Sequence, residues 1–227
     1  MRNKLTAEFI GTYILVFAGS GAVMINDITG ALGHAGVALT FGFVIVALIY
    51  SFAHVSGAHF NPAVTIAFYS MGEFDRKQVL PYICAQILGG IAASASLFLL
   101  LREDFNQFSE VSYLGATLPH GSVAQSFGFE FLLAFILMLV ISASAVHGKA
   151  IKDFAGIAIG FTVGLEAMFA GPITGASMNP ARSIGPAIVS GHFEHLWLYV
   201  VATILGALVA ALIFVKLIHS DKQEGDQ

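Results

Sequence analysis

The chain has 227 residues, of which 57% are hydrophobic and only 11% charged, with a net charge of −4 and a mean hydropathy of +0.83. A soluble domain of this size needs far more charge to cover its surface, so that class is excluded. No basic patch with interleaved aromatics points to nucleic acid, and the single cysteine, Cys84, rules out an internal disulfide.

In chain order, the first element is a basic start, Arg2 and Lys4, followed by an uncharged run from Phe9 to Asn26. It resembles a signal peptide, but the run is long, follows directly on Glu8 and lacks a small-residue cleavage site, so a retained first span over 5–25 is expected. From Ile28 to Gly72 there is no formal charge at all. Eight of the ten Lys and Arg fall in pairs: Arg2/Lys4, Arg76/Lys77, Lys149/Lys152 and Lys216/Lys222. Basic clusters stay on the cytoplasmic side, so an even number of crossings must separate each pair from the next. Two full helices between Asp27 and Glu73 would place Arg76 outside. One span over 35–54 plus a segment that enters and returns satisfies both length and parity. A third span over 79–101 and a fourth over 126–147 follow, joined by an outer loop, 102–125. The stretch from Phe154 to Glu194 poses the parity problem again. A span over 155–170, a second re-entrant segment and a last span over 196–218 solve it, leaving a disordered tail, 220–227. The expectation is an all-α integral membrane protein of the inner (cell) membrane, multi-pass, with six transmembrane helices, two re-entrant half-helices and both termini cytoplasmic.

The chain also repeats itself. GVALTFGFVIVALIYSFAHVSGAHFNPAVT from Gly36 parallels GIAIGFTVGLEAMFAGPITGASMNPARS from Gly156. AQILGGIAAS from Ala85 parallels ATILGALVAA from Ala202, Tyr82 matches Tyr199, and Glu8 matches Glu130. Three spans per half make this an inverted repeat, about 1–101 and 126–219 within one domain, 1–227. Such repeats put the working site where broken helices meet.

Each re-entrant segment carries Asn-Pro-Ala: Asn61-Pro62-Ala63 and Asn179-Pro180-Ala181. Asn is a strong N-cap and Pro suits the first helical position, so each triplet reads as a helix start. A helix start inside the membrane presents unpaired N–H groups and partial positive charge, and two of them meeting form a barrier to cations. The capping oxygen of each Asn faces its own helix, which leaves the NH₂ free to donate to a passing oxygen. One such triplet is an ordinary cap; two at matched places in a repeat are not.

On SGAHFNPAVT and TGASMNPARS the sequence resembles the aquaporin and aquaglyceroporin (major intrinsic protein) family along essentially its whole length. FAGPITGASMNPARSIGPA most resembles bacterial channels akin to the plant nodulin-26-like group. The resemblance implies the aquaporin fold, a passive pore in each subunit of a homotetramer, and a constriction formed by Phe41, Ala167, Ala176 and Arg182. Water-selective relatives carry His at the Ala167 position, and glycerol facilitators a second aromatic near Ala176. Two methyl groups here imply a wider opening, suited to water, glycerol, and boric or arsenous acid. Ser183 and Ala187 follow the water-channel pattern instead, so a strict water channel stands as the alternative. Ala58, His59 and Gly175, with Ala176, are candidates for extended backbone whose carbonyls line the pore, next to the permissive Gly57 and Gly175.

An intramembrane charge such as Arg182 is a functional hypothesis by default. Glu8 and Glu130 are expected to accept hydrogen bonds from the re-entrant backbone, a role that the resemblance implies. Glu166 neighbours Ala167 but is turned about 100° from it, toward another helix or a subunit contact. His54 and His59 do not have the spacing of a zinc pair, and Ser56 with His54 lacks a third group to make a nucleophile. No metal, cofactor or enzymatic activity is expected; water, small neutral solutes and membrane lipid are the partners. A proton-coupled transporter is the remoter alternative, with Glu166 as its only plausible titrating residue.

Overall fold

In a computed structural model, residues 1–101 and 113–218 are described; most of the outer loop's first half, Lys222 and the tail expected over 220–227 lie outside them. Eight α-helices occur among the described residues: α1 Arg2–Thr29, α2 Gly33–Ser56, α3 Pro62–Ser70, α4 Arg76–Leu101, α5 Val123–Ile141, α6 Ala155–Thr174, α7 Pro180–Ser190 and α8 Leu196–Ile213. Single π turns extend α5 over Ser142–Val146 and α8 over Phe214–Ile218. All but α3 and α7 are long and apolar enough to cross a membrane. At 1.5 Å per residue the 28 residues of α1 reach about 42 Å, enough for a hydrocarbon layer of about 30 Å with some tilt. The six long helices and two short ones are the aquaporin fold.

The spans outrun their expected limits at several ends. One of them is α6, which continues past 170 and through Pro172 to Thr174. Proline removes the N–H that would bond the carbonyl of Met168. The His34 ring, from the start of α2, donates its Nε2 proton to that carbonyl at 2.6 Å, so the freed acceptor is satisfied from outside the helix.

Long helices pair through small residues. α1 packs on α2 and α4, α2 on α6, and α5 on α8. A side chain at Gly89 would strike the carbonyl of Phe9 on α1, and one at Gly206 would strike the carbonyl of Phe131 on α5, so both backbones approach closely. The short helices interlock the two halves: α3 rests on α8 and α4, while α7 lies on α4, where Gly90 and Gly185 meet backbone to backbone.

Candidate functional site: a pore lined by two half-helix starts

α2 and α6 both end on a left-handed glycine, Gly57 (φ 89°) and Gly175 (φ 81°), a conformation that costs any other residue energy. From there each loop runs through two non-glycine residues at positive φ: Ala58 and Phe60 in the first, Ala176 and Met178 in the second. Such residues are strained by about 1–3 kcal/mol each and persist only where the surroundings hold them.

Two buried carboxyl groups do the holding. Oε1 of Glu8 accepts from Ser56 Oγ (2.7 Å) and the His59 N–H (3.0 Å), and Oε2 accepts from the Phe60 N–H (2.7 Å) and Gln86 Nε2 (2.8 Å). Oε1 of Glu130 accepts from Thr174 Oγ1 (2.7 Å) and the Ser177 N–H (2.8 Å), and Oε2 from the Met178 N–H (2.9 Å). Tyr82 and Tyr199 finish the pattern by donating to the carbonyls of Ser56 and Thr174. Gln86 has Thr203 at the matching place, which bonds its own helix instead, so the first loop has one brace more.

Each loop delivers its chain to an extended Asn and then a helix. Asn61 accepts from the Ala63 N–H and Asn179 from the Ala181 N–H, both at 2.9 Å, with Pro62 and Pro180 as the first helical residues. The two starts abut: Asn61 Nδ2 donates to the Met178 carbonyl and Asn179 Nδ2 to the Phe60 carbonyl, each at 2.8 Å. This corrects the expectation of a free NH₂. One of the two N–H bonds of each amide is spent on the opposite loop, because the half-helices meet closely enough for its carbonyl to reach. The other faces a cavity.

That cavity, about 270 Å³, runs along α2 from Phe41 to Ala53, a rise of about 18 Å. Asn61 and Asn179 line it, as do Ala58 and His59 of the first loop and Ala176, Ser177 and Met178 of the second. Gly175, expected among the lining residues, is not one of them; as the helix cap it packs against Thr117, and Ser177 and Met178 take the wall. The rest of the wall is almost wholly aliphatic, with Leu15, Ile45, Ile159 and Val163 among its members.

Arg182 closes the Phe41 end. It is 3% exposed, and its Nη1 donates to the carbonyl of Gly115 (2.6 Å) and to Ser20 Oγ (3.3 Å). The Phe41 ring lies 5.1 Å from its Cζ, within cation–π range. Nε has no hydrogen-bond partner among the described residues. Phe41, Ala176 and Arg182 thus share the cavity wall. Ala167 is not among the wall residues; it is buried in the apolar cluster with Phe41 and Ala176. Ser20 and Gly115 were missed from sequence, since one is a plain helix serine and the other belongs to an irregular loop with no motif. Thr117, also in that loop, bonds Ser183 beside the arginine.

Glu166 is 1% exposed within the single chain, so it does not face a subunit contact, and it is not part of the cavity wall. Neither of its oxygens has a hydrogen-bond partner among the described residues. Ser56 spends its hydroxyl proton on Glu8.

Comparison with known proteins gives the family. The family model described as major intrinsic protein matches residues 1–214. The chain belongs to that family. It is 45% identical to nodulin-26 of Glycine max over 97% of this chain and 79% of the relative. Against a probable aquaporin, NIP-type, of Nicotiana alata the identity is 47%, with the same coverage. Among solved structures it is similar to the aquaglyceroporin from Plasmodium falciparum, with a TM-score of 0.87, 27% identity and 96% of each chain covered. As a member of the major intrinsic protein family the chain is a channel for water and small neutral solutes.

Proposed function

We propose that this channel passes glycerol and boric or arsenous acid as well as water, passively, and excludes ions and protons. The observation that carries the solute range is the Arg182 end of the cavity. One guanidinium and one aromatic ring line it, while Ala176 in the wall and Ala167 buried beside Phe41 and Ala176 offer only methyl groups. A neutral polyhydroxyl solute finds donors at Arg182, acceptors along the loop carbonyls and an apolar face on Phe41. Similarity to the aquaglyceroporin supports the glycerol part of that range.

Ion exclusion rests on the two abutting helix starts and Arg182, since a cation meets partial positive charge from both sides with no carboxylate among the described residues of the cavity wall. Glu166 outside that wall argues against proton coupling, and the committed Ser56 hydroxyl argues against a hydrolase. Four pores assemble as a homotetramer in a lipid bilayer, the inner (cell) membrane, with both termini cytoplasmic as the basic clusters require. The two inverted repeats, joined through the outer loop, form one channel domain.

Ala167→His tests the reading. An imidazole extends several ångströms farther than a methyl, so glycerol and boric acid influx into proteoliposomes should fall far more than water flux. Equal loss of all three, or none, would show that this residue does not set the width. A strict water channel would exclude these solutes already in the wild type.

A further inference from the structure

We infer that Gly19, a residue of α1 outside the pore wall, sets the aperture of the channel by fixing where the Phe41 ring rests. The inference builds on the proposed constriction and adds a residue to it.

Phe41 is held between two surfaces. On its inner side it faces the cavity and Arg182. On its outer side it lies directly on the Cα of Gly19: a Cβ placed there would stand 2.1 Å from Cε1, 2.5 Å from Cζ and 2.6 Å from Cδ1 of the ring. Carbon atoms in contact sit about 3.5–4.0 Å apart, so a single methyl at position 19 must drive the ring edge by roughly 1.5–2 Å. The atoms it meets are the far end of a side chain, and the backbones of α1 and α2 are held by their own packing. The ring therefore yields, and the open space is the cavity. Leu15, one turn earlier on the same face of α1, does line the pore, so the helix is close enough for the missing side chain at Gly19 to matter. Absence of a Cβ at position 19 is thus part of what keeps the constriction open, alongside the methyl groups of Ala167 and Ala176. Gly19 is a positioning residue; it touches no solute.

The test compares the effect of one methyl with and without the ring. Wild type, Gly19→Ala, Phe41→Ala and the double variant are reconstituted at equal protein content, and water, glycerol and boric acid fluxes are measured by stopped-flow light scattering. Gly19→Ala should lower glycerol and boric acid flux about tenfold, the low end of what one methylene does to discrimination in an apolar site, with a smaller loss of water flux. In the Phe41→Ala background the same methyl should change no flux, because no ring remains to be displaced. An equal effect of Gly19→Ala in both backgrounds, or a uniform loss of all three solutes, overturns the inference. So does a Gly19→Ala protein that fails to fold while the double variant folds, since the ring then cannot yield toward the pore. Should the wild type pass no polyol, the wide-constriction reading fails, yet the comparison remains readable on water alone. Phe41→Ala that leaves every flux ratio unchanged removes the constriction, and this inference with it.

Discussion

Replacing either loop-bracing carboxyl by its amide weakens the hold on its re-entrant loop by a predictable amount. Glu130 accepts three hydrogen bonds, two on Oε1 and one on Oε2. In Glu130→Gln the better rotamer keeps the oxygen toward Thr174 and Ser177 and turns the NH₂ on the Met178 N–H, leaving one buried backbone donor unmet. Such an orphan costs about 1–3 kcal/mol. Glu8 accepts four, two on each oxygen. In Glu8→Gln either orientation sets the new NH₂ against two donors, and the better one faces the Phe60 N–H and Gln86, so the cost is roughly twice as large. Because the braced residues include Phe60 and Met178, whose carbonyls receive the Asn amides, loss of either brace loosens the junction of the half-helices. The assay is thermal unfolding of the purified protein, paired with water flux in proteoliposomes. Both variants should melt earlier than wild type, Glu8→Gln earlier than Glu130→Gln, with water flux falling in the same order. Wild-type melting and flux in both variants, or the reverse order, would refute the bracing role.

Three further outcomes follow from the geometry. Arg182→Val removes the guanidinium held by Gly115 and Ser20; cation or proton leak should rise in conductance measurements while water flux persists, and a wild-type current during high water flux would contradict the exclusion mechanism. Cys84 is exposed on α4 and does not line the cavity, so mercurials should leave water flux within about twofold, the range of weak surface effects; strong thiol-reversible block abolished by Cys84→Ser would contradict that placement. Asn179→Ala loses the cap of α7 and the bond to the Phe60 carbonyl, and should lower stability by about 1–2 kcal/mol for the cap alone, measured by denaturation against wild type.

What the sequence made legible was whatever obeys a local rule. Charge parity called for segments that enter and return, and the two Asn-Pro-Ala triplets are helix starts because capping and proline chemistry act within three residues. The end of α6 was not legible: Pro172 argues for a stop, and what overrides it is a ring from His34, far away in sequence. The same holds at Arg182, whose partners Ser20 and Gly115 come from a different helix and an irregular loop. Ring stacking on a bare Cα, as at Gly19, has no sequence signature either, since a glycine in an apolar helix usually marks helix packing. The half-occupied Asn amides depend on how closely two separate loops approach, which no single segment encodes.

The most direct measurement is solute influx into proteoliposomes containing the wild-type protein, with water, glycerol, boric acid and potassium or proton entry recorded on the same preparation. A conduit walled by Arg182, Phe41 and methyl groups and centred on two helix starts should carry water, glycerol and boric acid at rates independent of any pH gradient, with no ionic entry above empty vesicles. Ionic entry, or neutral-solute flux that requires a proton gradient, would contradict the passive neutral channel outright.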